Sequence, residues 1–190
     1  MTVSLFTIGH STHSVERFLA LLAGAGVQAV IDVRTVPQSR RFPHFNEAAL
    51  TESLRAAGLS YVFLGKELGG RPADLALYTD GIADFEKMAR SATFRDGLER
   101  VIAGAREHHI ALMCSEKHPL DCHRCLLVAR ALAERGVKVR HIQSDGGIIT
   151  QSAIEEQLLA GSEDDLFTPR EARLAAAYRA RARKVAFAKK

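Results

Sequence analysis

Five short apolar runs recur along the chain, and every gap between them carries apolar residues at helical spacing. Ser4-Leu5-Phe6-Thr7-Ile8, Ala29-Val30-Ile31-Asp32-Val33, Tyr61-Val62-Phe63-Leu64, Ile110 to Met113 and Val137 to Ile142 read as strands. Val15, Phe18, Leu19 and Leu22 follow the first run at i, i+3, i+4 and i+7, with Ser14 as a cap. Leu50, Leu54 and Ala57 mark a second helix, and Phe94, Leu98, Val101 and Ala105 a third. A fourth runs from about Cys122 to Glu134 and stops at Gly136, a C′ glycine. Strand and helix in alternation predict a single α/β domain with a mainly parallel sheet of about five strands and right-handed crossovers. In such a sheet the C-terminal ends of the strands share one edge, where open α/β proteins place their sites.

That edge is where the polar residues gather. His10 and Ser11, Asp32 and Arg34, Gly65 and Lys66, Cys114 and Glu116, and His141 fall at or just beyond strand ends. The longest irregular stretches, 35–45 and 65–81, are long enough for binding loops. All three cysteines lie within twelve residues of one strand-to-helix turn, in Cys114-Ser115-Glu116 and Cys122-His123-Arg124-Cys125. A thiol there is a nucleophile, a metal ligand, a redox group or a small core residue. An odd cysteine count argues against a secreted disulfide scaffold and for a reducing cytoplasm. Met1 to Ile8 lacks the basic start and long apolar run of a signal peptide, and no stretch is apolar enough to span a bilayer. The expected location is cytoplasmic, without a membrane partner.

The net charge of +4 is unevenly spread: residues 170–190 carry +7 and the remainder −3. The chain therefore reads as a domain over 1–167 with a basic helix or tail over 168–190. Such a tail is able to touch phosphates, but it is more often a solvated or loosely docked terminus.

Gly9-His10-Ser11-Thr12, Asp32-Val33-Arg34, the run Pro37-Gln38-Ser39-Arg40-Arg41-Phe42-Pro43-His44-Phe45, Leu68-Gly69-Gly70-Arg71, Cys114-Ser115-Glu116 and Cys122-His123-Arg124 occur in one order. Together they resemble the prokaryotic domain-of-unknown-function family numbered 488, over about residues 4–160. The resemblance implies a small cytoplasmic α/β protein whose motif residues cluster at one site; it assigns no activity. The chain departs from the family at Gln151, about where members usually carry a histidine.

Read as chemistry, a thiol at a helix N-terminus beside His123 and Arg124 is expected to be acidic, which singles out Cys122 as the most reactive of the three. Cys125, inside an apolar helical face, reads as core. Cys122-x-x-Cys125 is half a zinc motif without a second half. A mixed metal site from Cys114, Cys122 and His123 with His10 or Glu116 would require neighbouring side chains to splay towards one ion, so no metal ligand is expected. No P-loop, no Gly-x-Gly-x-x-Gly and no Cys-x5-Arg cradle is present, against the usual nucleotide and phosphatase loops.

Arginines from several segments meeting carboxylates at one edge suit an anionic substrate, and the chain is expected to be a hydrolase or transferase type of enzyme. The catalytic candidates are His10, Asp32, Cys114, Glu116 and Cys122. Ser11, Arg34, Lys66, Arg71, His123 and Arg124 are the substrate-binding candidates. The expected partner is an anionic small molecule or a nucleic acid, and no cofactor is identified. The alternative is a non-catalytic nucleic-acid-binding or metal-binding module. Aromatics are only 6% of the chain, with no tryptophan, so base stacking is thinly supported.

Overall fold

The computed structural model describes residues 3–161 and 167–189. The strands are β1 (Ser4–Gly9), β2 (Ala29–Asp32), β3 (Ser60–Phe63), β4 (Tyr78–Thr79), β5 (Ile82–Ala83), β6 (Ile110–Cys114), β7 (Lys138–Ile142) and β8 (Ile148–Thr150). The α-helices are α1 (Val15–Gly24), α2 (Glu47–Ala56), α3 (Gly65–Leu68), α4 (Phe85–Arg90), α5 (Ala92–Glu107), α6 (Arg130–Ala133), α7 (Gln151–Ala160) and α8 (Arg170–Val185). One six-stranded sheet runs β3-β2-β6-β1-β7-β8, parallel except for β8, and β4 and β5 form a separate hairpin. The parallel α/β architecture matches the expectation. The hairpin, α3, α4, α7 and β8 are additions; all but the ten-residue α7 are two- to six-residue elements, which leave no period to read.

Side chains alternate across the sheet and build two cores. Leu5, Ile31, Leu112 and Cys114 face α5 and the Cys122–Ala133 segment, while Phe6, Val30, Ala111 and Met113 face α1 and α2. Helices therefore cover both faces, which is why the central strands read as unbroken apolar runs. From β2 the chain turns outward to β3, whereas from adjacent β6 it crosses to β7 on the other side. Diverging connections of this kind leave a crevice at the strand ends, and the cysteine segment lies there.

The helix after β6 starts later than its sequence suggests. Cys122 is extended, at φ −139° and ψ 139°, and its carbonyl accepts the first helical bonds from Cys125 and Leu126. Arg124–Ala129 then runs as a π-helical stretch before α6.

The basic C-terminal helix α8 docks on the domain. Ala177 and Tyr178 are buried in the larger core. Arg170, Arg181 and Arg183 pair with Glu156, Asp121 and Asp80. Past α8, Ala83 N–H donates to the Phe187 carbonyl at 2.9 Å and Lys189 N–H to that of Gly81 at 2.8 Å, so the chain end pairs with the β4–β5 hairpin. The expected boundary near residue 167 adjoins residues 162–166, which lie outside the described residues. No described helix is long and apolar enough to cross a membrane.

Candidate functional site

A cavity of about 430 Å³ opens at the β2/β6 strand ends. Its lining includes Arg34, Gln38, Arg71, Cys114, Glu116, Cys122 and His123, and the docked C-terminal residues Val185 to Phe187 wall one side.

Four polar side chains crowd its floor. Cys114 ends β6, and its single S–H has two acceptors beside it, Glu116 Oε2 at 3.2 Å and the Cys122 sulfur. His123 donates Nε2–H to the Val33 carbonyl at 2.8 Å, which leaves Nδ1 facing both sulfurs, 3.7 Å from Cys114 Sγ and 3.9 Å from Cys122 Sγ. Neighbours Cys122 and His123 thus turn their side chains to one point, contrary to the expectation from sequence. Extended backbone at Cys122 followed by helical backbone at His123 makes this possible. A Cβ on Gly70 would lie 2.8 Å from the His123 ring, so the Leu68-Gly69-Gly70-Arg71 loop closes on the imidazole only because it lacks one.

Protons on this floor are shared. A hydrogen bond to Cys122, then burial, hold the Cys114 thiol well above the ordinary range. Burial alone would raise Cys122 as well; the hydrogen bond from Cys114 and the charges of Arg124 and His123 outweigh it and favour thiolate. Burial and the Cys122 charge raise Glu116. At His123 the desolvation cost is overcome by the thiolate beside it, and its pKa rises. Cys125 is fully buried and its burial pushes the thiol up to about 12, so it lies in the core as expected. Cys122 is only 2% exposed, because the chain end and loops cover the floor.

Of the remaining candidates, Arg34 and Arg71 line the cavity, whereas Asp32, His10, Ser11, Lys66 and Arg124 do not. Asp32 is fully buried and grips Arg34, with Nη2 to Oδ2 at 2.5 Å and Nε to Oδ1 at 2.9 Å; Tyr61 Oη also donates to it at 2.8 Å. Arg34 Nη2 donates to the Phe45 carbonyl as well, and Nη1 has no partner among the described residues. Arg124 lies beneath the turn with no exposure, giving Nη1 to the Glu116 carbonyl at 2.7 Å and Nη2 to that of Lys117 at 3.2 Å. It acts as a buried strut for the loop that carries Glu116. His10 is stacked on Phe45 with centroids 4.3 Å apart, and Ser11, at φ 48°, donates its N–H to the Ser115 carbonyl. Lys66 is exposed on α3 outside the cavity lining.

Sequence reasoning missed a buried polar relay behind the floor. Arg124 Nε donates to Thr7 Oγ1 at 3.4 Å, and Thr7 donates to His141 Nδ1 at 2.8 Å. His141 Nε2–H then donates to Gln151 Oε1 at 2.7 Å, and Gln151 Nε2 to Tyr178 Oη at 2.6 Å. Thr7, a polar residue set inside an apolar run, was the available signal. Gln151 thereby links β7 to α8.

Burial lowers both His10 and His141 to about 4. Their depressed values mean that the unfolded chain binds protons more readily, so their contribution is complete above about pH 6.5 and is lost as pH falls towards 4. Arg34, Asp32 and His44 act on His10, and Arg124, Cys122 and His118 on His141. Lowering pH from 7 to 5 is expected to cost roughly 2 kcal/mol per histidine, read as a drop in the urea midpoint. A His141→Asn variant should lose about half of that pH sensitivity. An unchanged midpoint between the two pH values would refute it.

These features define an α/β protein with a thiol- and arginine-lined cavity at the switch point of a parallel sheet. The chain belongs to the family described as Domain of unknown function DUF488, whose model matches residues 14–131. No curated protein and no solved structure matches it.

Proposed function

We propose that the protein is an enzyme of hydrolase or transferase type acting on a small anionic substrate in this cavity. The observation that carries the reading is Arg34, clamped by Asp32 on one side and lining the cavity with Arg71 above the Cys114, Cys122, His123 and Glu116 floor. A guanidinium whose orientation is already fixed loses little freedom on taking an anion. Arg71, its Cζ 4.8 Å from the Phe187 ring centroid, is the second anion-binding group. Glu116 is placed to move a proton at the floor. A volume of about 430 Å³ suits a small molecule. Against a nucleic-acid module, three arginines of the basic helix are engaged by the domain's own acids.

Thermal unfolding with inorganic phosphate, sulfate and adenosine monophosphate as probes tests the anion site. At least one should raise the wild-type midpoint, and Arg71→Ala should need roughly 10- to 100-fold more of that probe for the same rise, the worth of a charge-assisted contact. A screen of chromogenic phosphate and carboxylate esters then reads turnover. The reading fails if no probe stabilises the wild type, or if Arg71→Ala responds as the wild type does.

A further inference from the structure

Cys114 Sγ, Cys122 Sγ and His123 Nδ1 all lie within 4.8 Å of one another at the floor of the cavity. We infer that these three atoms bind one divalent cation of the zinc class, with its fourth position open to the cavity. The inference deepens the enzyme reading and rests on it for the ion's use.

The spacing fits such an ion. Zinc bonds of about 2.3 Å to sulfur and 2.0 Å to nitrogen in a tetrahedron put ligand sulfur and nitrogen about 3.6 Å apart. Nδ1 lies 3.7 and 3.9 Å from the two sulfurs, and the sulfurs lie within 4.8 Å of each other against about 3.8 Å in a zinc tetrahedron, so closing on an ion takes a shift of at most about 1 Å. Two thiolates and an imidazole are the donors that a soft tetrahedral cation selects. The surroundings are those of a ligand set. The Nε2–H bond to the Val33 carbonyl holds the imidazole in the tautomer whose Nδ1 lone pair faces the sulfurs, the orientation of metal-binding histidines. Arg124 N–H points at Cys122 Sγ from 3.4 Å, and the fully buried Arg124 guanidinium supplies positive charge beside the thiolates. Cys125 is excluded, since its Sγ turns away to Gln151 Oε1 at 3.8 Å. The ligand pair is therefore Cys114 with Cys122, from two elements, and not the local Cys-x-x-Cys.

Glu116 Oε2, 3.2 Å from Cys114 Sγ, lines the cavity beside the open position. For hydrolysis, a water on the ion gives a proton to the Glu116 carboxylate while its oxygen bonds to the electrophilic atom of the anion. The bond to the leaving group breaks, and that group takes the proton from Glu116.

Elemental analysis of reduced protein purified without chelator should find about one zinc per chain. Cobalt(II) titrated into metal-stripped wild type should produce a thiolate-to-cobalt charge-transfer band and tetrahedral visible bands. Cys122→Ser should weaken cobalt affinity about tenfold or more, and Cys125→Ala should leave the bands unchanged. The absence of a thiolate band in wild type overturns the site, whatever the variants do. So does an equal band in Cys122→Ser, or a band lost in folded Cys125→Ala. If the band is absent yet Arg71→Ala still weakens anion binding, the ion is wrong and the enzyme reading stands. If the band forms and Arg71→Ala has no effect, the ion stands and the enzyme reading falls.

Discussion

Asp32→Ala is expected to cost the fold about 3–5 kcal/mol, because removing one partner of a buried pair strands the other charge. Arg34 is 4% exposed and spends two of its nitrogens on Asp32, so alanine leaves a guanidinium with a single carbonyl, that of Phe45, and the cavity. Tyr61 loses its acceptor as well. For a chain of this length the loss corresponds to a fall of roughly 6–20 °C in the unfolding midpoint. Adding Arg34→Met to the alanine variant removes the stranded charge and should recover part of the loss, which separates charge burial from general disruption. A midpoint within about 2 °C of wild type for Asp32→Ala would show that Arg34 is solvated in solution. Anion binding should weaken in parallel, since Arg34 would no longer be aimed.

Gly9→Ala is expected to be comparably damaging through sterics alone. A Cβ built at Gly9 would lie 1.9 Å from the Glu116 carbonyl oxygen and 3.2 Å from Arg124 Nη1. The strand has no room to retreat. Gly9 is in register with Cys114, His10 N–H donates to the Cys114 carbonyl at 2.8 Å, and Ser11 N–H to that of Ser115 at 2.9 Å. Relief has to come from moving the 115–117 turn, which carries Glu116 and is pinned by Arg124. Overpacking of this kind costs on the order of 3 kcal/mol. Urea unfolding gives the cost, and a cobalt titration of the folded fraction shows whether the Cys114 sulfur has moved from its partners. A variant as stable as wild type, with an unchanged titration, would mean that the turn adapts freely.

Much of this architecture was legible from the chain. Ile110 to Cys114 is buried on every residue, and that burial is written as an unbroken apolar run. The strand ends could therefore be placed on one edge, and Asp32, Arg34, Cys114, Glu116 and Cys122 with them. Within that edge, the division between cavity and support was not legible. Asp32, His10 and Arg124 have the residue types of catalysts, yet Asp32 and Arg124 act as buried anchors and His10 stacks on Phe45. Residue type does not record whether a side chain ends at solvent or against a backbone carbonyl.

The alternation of strand and helix, the two-sided burial of the sheet and the gathering of polar groups at its C-terminal edge were set by sequence alone, because period and composition are local properties. Tertiary structure decided three further matters. It paired Cys114 with Cys122 and not Cys122 with Cys125, because extended backbone at Cys122 aims one sulfur back towards β6 while Cys125 turns into the core. It aimed His123 at both sulfurs through a carbonyl ninety positions away in the chain, that of Val33. It brought Phe187 against Arg71 as a wall of the cavity. Each depends on a contact between segments far apart in the chain, and the energy of such a contact is written in no local pattern of residues.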